Sequence, residues 1–252
     1  MEIRTFCEGA RLSECRRLLC RMAEERDFCV GRLFLLPIPS TRDRKTVAGT
    51  EMPLSELVRE AERGDAVVGY AIPEDIKYAL CERGALVYDA SCDEEFLLKN
   101  AELTARGALG YILTESKKDI TDLRVGIVGY GRIGACLLRY LLFLGANVRL
   151  YTTRESVAME LSALGVCASS GFDGVCELDI LVNTAPARLL KEAEIRGLLS
   201  RGRILDLASG NVFGESLGIV KLSSVPEKIY PISAGKIYAE QIARRLSEDA
   251  VC

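Results

Sequence analysis

The sequence predicts an α/β protein, a doubly wound parallel sheet with a second, smaller α/β domain at the N-terminus. Three observations predict it. Short apolar runs rich in β-branched residues alternate with helical patterns along the 252-residue chain. One of these runs, with Val125, Ile127 and Val128, passes straight into the glycine turn Gly129-Tyr-Gly-Arg-Ile-Gly134 and then into a helical stretch ending near Leu144. Between the halves lies one long helical pattern, Asp93 to Ser116, suited to connect two domains.

In order, Glu2 to Cys7 reads as a strand and Ala10 to Glu25 as a helix, its apolar residues Leu12, Cys15, Leu18, Leu19 and Met22 on one face. Val30 to Ile38 is a buried strand stopped by Pro37 and Pro39. The loop that follows, Pro39 to Lys45, holds Ser40, Thr41, Arg42, Arg44 and Lys45. Such a loop is either a solvated turn or an anion pocket for a carboxylated substrate. Leu54 to Arg63 reads as a helix, Ala66 to Tyr70 as a strand, Pro73 to Glu82 as a helix and Ala85 to Asp89 as a strand. The domain boundary is placed near residue 105, giving a substrate-side domain of residues 1–105 and a nucleotide-binding domain of 106–252.

The second half reads as strands at Asn147 to Thr152, Val166 to Ala168, Asp179 to Thr184, Arg203 to Leu207 and Ile219 to Leu222, with a helix at Ala158 to Leu164. Tyr230 to Gly235 reads as a loop, and 236–248 as a closing helix started by Ser233, a candidate to pack back on the first domain.

The glycine turn carries the functional signal. Gly129, Gly131 and Gly134 fall at the G-x-G-x-x-G spacing after a strand and before a helix, the Rossmann-type arrangement. The first permits the turn, the second lets a diphosphate approach the backbone, and the third lets the helix lie on the strand. The peptide groups of Gly129, Tyr130, Gly131, Arg132, Ile133 and Gly134 are therefore the expected cofactor seat, at a helix N-terminus that favours anions. The next strand ends in Tyr151-Thr152-Thr153-Arg154, with no acid before Glu155. A carboxylate there would hold an adenosine 2′-hydroxyl, whereas Thr152, Thr153 and Arg154 suit a 2′-phosphate. The cofactor expected is NADP in preference to NAD, with Arg154 as a plain surface arginine the alternative. Asn183-Thr184-Ala185-Pro186 and Asp206-Leu207-Ala208-Ser209-Gly210 follow later strands, where an open parallel sheet binds its ligand.

Composition narrows the chemistry. The 33 basic and 36 acidic residues leave a net charge of −3, with no electrostatic footprint for nucleic acid. No apolar stretch is long enough to span a bilayer and none resembles a leader peptide, so a cytoplasmic protein is expected. The ten cysteines form no C-x-x-C pair and read as small apolar residues. The chain has no histidine, which excludes imidazole acid–base catalysis and imidazole metal ligation; no metal site is expected. Proton transfer would fall to other side chains, with Lys236 and Tyr238 as candidates. The apolar stretch Ile133 to Leu144 exceeds the needs of one face and hints at a homo-oligomer or an interdomain contact.

These motifs together, with Leu144-Gly-Ala-Asn-Val148 and Pro231-Ile-Ser-Ala-Gly235, resemble the family of the A-type dipicolinate synthase subunit, continuously from about Asn100 onward and more faintly before it at Ala10, Arg11, Glu14, Pro37 and Thr41. The resemblance implies NAD(P)-linked oxidation of a dihydrodipicolinate-level dicarboxylate to dipicolinate for sporulation, with a flavoprotein-like B-type partner subunit. It implies cofactor contacts at Gly129, Gly131, Gly134, Thr184, Pro186 and Ser209. The sequence departs from the family at Cys7-Glu8-Gly9, Arg106, Gly210-Asn211-Val212 and Ile232, more on the substrate side than on the cofactor side. More distantly it resembles the D-2-hydroxyacid dehydrogenases, whose histidine base is absent here. Two functions stay open: an oxidoreductase, with Thr41, Arg42 and Arg44 toward the substrate, or a non-catalytic NAD(P)-binding relative that senses or scaffolds.

Overall fold

The structure is a computed structural model that describes residues 1–25, 28–210, 212–213 and 218–248. The Asn211 position of the departure at Gly210–Val212 lies outside the described residues. Two compact units emerge, Met1–Asn100 with Pro226–Cys252, and Ala101–Val225. The C-terminal segment thus counts with the first unit, correcting a second domain that would run from 106 to the end.

In the first unit, strands β1 (Glu2–Thr5), β2 (Arg32–Leu35), β3 (Ala66–Gly69) and β4 (Leu86–Asp89) form a wholly parallel sheet in the order β1-β2-β3-β4. Alternate side chains serve opposite faces. Leu33, Leu35, Ala66 and Val68 pack beneath helix α1 (Ala10–Glu25) and the last helix, α9 (Pro231–Glu248). Phe34 and Val67 pack on the other face with helices α2 (Leu54–Glu60) and α3 (Glu74–Glu82). α9 lies close on α1: a Cβ at Gly235 would stand 2.6 Å from the Arg11 carbonyl oxygen.

The segment expected as a loop, Tyr230 to Gly235, is instead the start of α9. Proline suits a first helical position because its missing N–H has no intrahelical partner there. The Ala234 N–H already donates to the Tyr230 carbonyl at 2.8 Å. Ser233 therefore sits inside the first turn and does not cap it.

Helix α4 (Glu94–Glu115) contains the division between the units. The second unit has six parallel strands, β5 (Arg124–Val128), β6 (Asn147–Tyr151), β7 (Cys167–Ser169), β8 (Ile180–Asn183), β9 (Arg203–Asp206) and β10 (Ile219–Lys221), in the order β10-β9-β8-β5-β6-β7. This is the doubly wound order, and the chain reverses direction across the sheet at β5. Helix α5 (Arg132–Phe143) and α4 cover one face through Leu137, Leu138, Leu141, Ala105, Ala108 and Ile112. On the opposite face lies helix α7 (Glu192–Leu199), through Ile195 and Leu198.

The sequence pattern missed α7, yet its signal is present. Glu194 accepts the Lys191 N–H at 2.6 Å, the carboxylate half of a capping box at the helix start. Helix α6 (Glu155–Ala163) begins three residues before its expected start at Ala158, and the short helix α8 (Val225–Ile229) was also unforeseen. Among the described residues no helix is long and apolar enough to cross a membrane.

Candidate functional site

At the carboxyl end of β5 the three glycines take three different tasks. Gly129 has φ +97°, a conformation that L side chains rarely adopt, and a Cβ there would lie 2.7 Å from the Thr184 hydroxyl. At Gly134 a Cβ would stand 2.1 Å from the Gly129 carbonyl oxygen, so the third glycine lets α5 rest on the turn. Gly131 has no atom within 4 Å of its Cβ position and borders open space.

Gly131 is also the residue that precedes α5, and no side chain caps it. The first intrahelical bond runs from Ala135 N–H to the Gly131 carbonyl at 2.9 Å, leaving the amides ahead of it without an acceptor in the helix. An open seat, uncapped amides and the positive end of a helix dipole together fit a diphosphate.

The neighbouring strand ends frame that seat. Arg154 donates from Nη2 to the Tyr130 carbonyl at 2.8 Å, so its exposed guanidinium reaches from the end of β6 to the turn. Thr153 is exposed, whereas Thr152 is buried and its hydroxyl accepts the Arg154 N–H at 3.3 Å. Thr152 thus shapes the turn rather than facing out. Thr184 donates its hydroxyl to the Val128 carbonyl at 2.8 Å, tying β8 to the glycine turn. Ala185 and Pro186 follow, Pro186 exposed.

Beyond β8, Asp206 is only 2% exposed and is fully engaged. It accepts from Asn183 Nδ2 at 2.8 Å, from the Ala208 N–H at 3.2 Å and from Lys221 Nζ at 2.7 Å. Ala208 is buried and Ser209 exposed. Asn183 was named from the sequence only as the first residue of a ligand-side loop, and Lys221 was not singled out, because their partnership joins three separate strands.

The substrate-side expectations fare differently. Asp43 fills the anion position of the Pro39–Lys45 loop. Its carboxylate accepts the N–H groups of Thr46 and Lys45 and the hydroxyls of Thr41 and Thr46, bonds that hold it well below the usual carboxylate range. Thr41 is therefore spent inside the loop, while Arg42 and Arg44 are exposed, which agrees with the solvated-turn alternative. Tyr238 cannot face a substrate either. It is wholly buried, 5.5 Å from the Phe96 ring, its hydroxyl has no partner among the described residues, and burial pushes its pKa well above that of an ordinary tyrosine. Lys236 stays at the surface, 3.8 Å from Glu240.

One buried cation of the first unit went unassigned in the sequence. Arg11 is 3% exposed, donates to Asn100 Oδ1 at 3.1 Å and lies 5.6 Å from the Phe96 ring, while its Nε has no partner among the described residues. Burial pulls its pKa down, opposed by Tyr238 and Glu227. Its clue was an arginine on the apolar side of an amphipathic helix.

Comparison with known proteins agrees with this geometry. Residues 106–216 match the D-isomer specific 2-hydroxyacid dehydrogenase NAD binding domain. The A-type subunit of dipicolinate synthase from Bacillus subtilis (strain 168) is 26% identical over 165 residues, covering 62% of this chain and 56% of that protein. The chain is a homologue of the A-type dipicolinate synthase subunit. The match spans little more than half the length of that curated relative. Among solved structures, the A-type subunit of dipicolinate synthase from Bacillus halodurans superposes with a TM-score of 0.79 at 17% identity, covering 98% of this chain and 97% of the other. Its counterpart from Bacillus subtilis gives 0.79 and 17%, covering 98% and 96%. At that identity the likeness is one of fold. The second unit is thus of the NAD-binding dehydrogenase type, with its glycine turn inside the matched segment.

Proposed function

We propose that this homologue of the A-type dipicolinate synthase subunit is an NAD(P)-linked oxidoreductase that acts on a small cyclic dicarboxylate, taking a dihydrodipicolinate-level substrate to aromatic dipicolinate. The observation that carries the proposal is the open, uncapped glycine turn at the point where the sheet reverses. A bound nicotinamide would supply the hydride acceptor. The chain's own part is to hold and orient. The amides beyond Gly129, whose own N–H is spent on the Tyr151 carbonyl at 2.8 Å in correction of the seat expected from the sequence, would take the diphosphate, and Thr184 and Pro186 would border it. Arg154, with Thr153, would take a 2′-phosphate, which favours NADP over NAD: the end of β6 offers an arginine and no carboxylate. Ala208 and Ser209 would lie under the nicotinamide half.

Lys236 remains the proposed group for proton movement. By its kinship the protein would work in the cytoplasm during sporulation beside a flavoprotein-like B-type subunit.

A second reading, a non-catalytic NAD(P)-binding relative, is favoured by the burial of Tyr238 and the inward turn of Thr41. One experiment separates the two. Calorimetric titration of NADPH and NADH is paired with spectrophotometric turnover of NADP+ in the presence of dihydrodipicolinate. Binding with turnover supports the enzyme; binding without turnover, with or without the B-type subunit present, supports the sensor; absence of binding refutes both.

A further inference from the structure

We infer that Lys221 is a positioning residue for the nicotinamide half of the site, acting through the backbone of the Asp206–Gly210 loop; this rests on the nucleotide reading. Lys221 closes β10, and its ammonium has three acceptors: Asp206 Oδ2 at 2.7 Å, the Ala208 carbonyl, and the Gly210 carbonyl at 2.5 Å. An ammonium carries three donors, so this one is saturated and is not a proton shuttle. Asp206, buried beneath it, is pinned from the other side by Asn183 at the end of β8. One charge thus fixes the ends of three adjacent strands.

The loop geometry that follows is specific. The peptide joining Ala208 to Ser209 is trans, so with its carbonyl turned onto Lys221 its N–H points the opposite way. The Ser209 N–H has no backbone acceptor among the described residues, and Ser209 is exposed. Lys221 therefore presents a fixed amide donor, without a backbone acceptor among the described residues, at the end of β9. In the order β10-β9-β8-β5-β6-β7, a dinucleotide with its diphosphate on the turn after β5 and its adenosine over β6 lays its other nucleoside over β8 and β9. The amide held by Lys221 is on that side.

The test uses the full chain and two probes, NADPH and 2′-phospho-ADP-ribose, which lacks nicotinamide. Lys221→Met is expected to weaken NADPH by about tenfold while changing 2′-phospho-ADP-ribose by less than about twofold, and Lys221→Arg to restore most of the loss. Should Lys221→Met fail to fold, Asp206→Asn removes the anion that holds the ammonium and carries the same expectation. Equal loss of both probes, or no loss of either, would overturn the role of Lys221. A wild-type chain that binds neither probe would instead remove the nucleotide reading itself, and the inference with it.

Discussion

Adding a single methyl group at either of two glycines should separate folding from binding. At Gly134 the new Cβ would lie 2.1 Å from the Gly129 carbonyl oxygen, whereas ordinary contact begins at 3.4 Å. The first turn of α5 must retreat by about 1.3 Å, and the obstacle is backbone that cannot rotate aside. Overpacking of this kind costs about 1–3 kcal/mol, which for a domain of this size lowers the melting temperature by about 3–10 °C. Gly134→Ala should therefore unfold at lower urea and also bind NADPH more weakly, because the displaced amides form the seat. Gly131→Val is the contrast. No residue other than its chain neighbours lies within 4 Å of a Cβ placed there, and its backbone is extended, with φ −92° and ψ −168°, so a side chain at this position points into open space. Stability should change by less than about 0.5 kcal/mol while affinity falls at least about tenfold. Urea unfolding and calorimetry read the two effects separately. An unchanged urea midpoint for Gly134→Ala, or wild-type affinity in Gly131→Val, would refute the geometry proposed for the seat.

Arg154→Glu should weaken NADPH by at least about tenfold and leave NADH within about threefold, measured by titration; equal losses would deny it the 2′-phosphate. Tyr238→Phe should stabilise the protein by about 1 kcal/mol in urea unfolding, since it removes a buried hydroxyl with no partner among the described residues, and should leave any turnover unaltered. Burial alone would raise the Asp89 carboxyl, but Lys77 at 2.8 Å, Ser91 and the Ala71 N–H outweigh it and hold the native pKa below the ordinary value. Its stabilisation is complete above the unfolded carboxylate pKa and is lost as pH falls through that value toward the native one. Urea midpoints should therefore decline from about pH 5 downward, and more gently in Asp89→Asn; an identical pH slope in the variant would show that Asp89 contributes nothing.

Much of the fold is written in local pattern. α1 was expected at Ala10–Glu25 and is found there, because its apolar spacing of three and four residues needs no distant partner to declare itself. The six strands of the second unit stand within a few residues of their expected places; the central strands β5 and β8 announce themselves because they are buried and carry apolar runs, while the edge strands β7 and β10 are only partly buried. The start of α9 was misread because proline marks a helix start and a loop equally well in sequence. α7 was missed because only two of its side chains are buried and the rest resemble a solvated loop.

The sequence by itself determined the alternation of strands and helices, the glycine turn after β5, the absence of any imidazole chemistry and the basic end of β6, because each depends on residue type and short spacing. Only the tertiary structure decided that Tyr238 faces the core, that Asp43 occupies the loop offered to a substrate anion, that the C-terminal helix joins the first unit, and that Asn183, Asp206 and Lys221 meet. Those outcomes depend on which distant segments share a surface, and a hydroxyl or a carboxylate takes whichever partner the packing brings within about 3 Å.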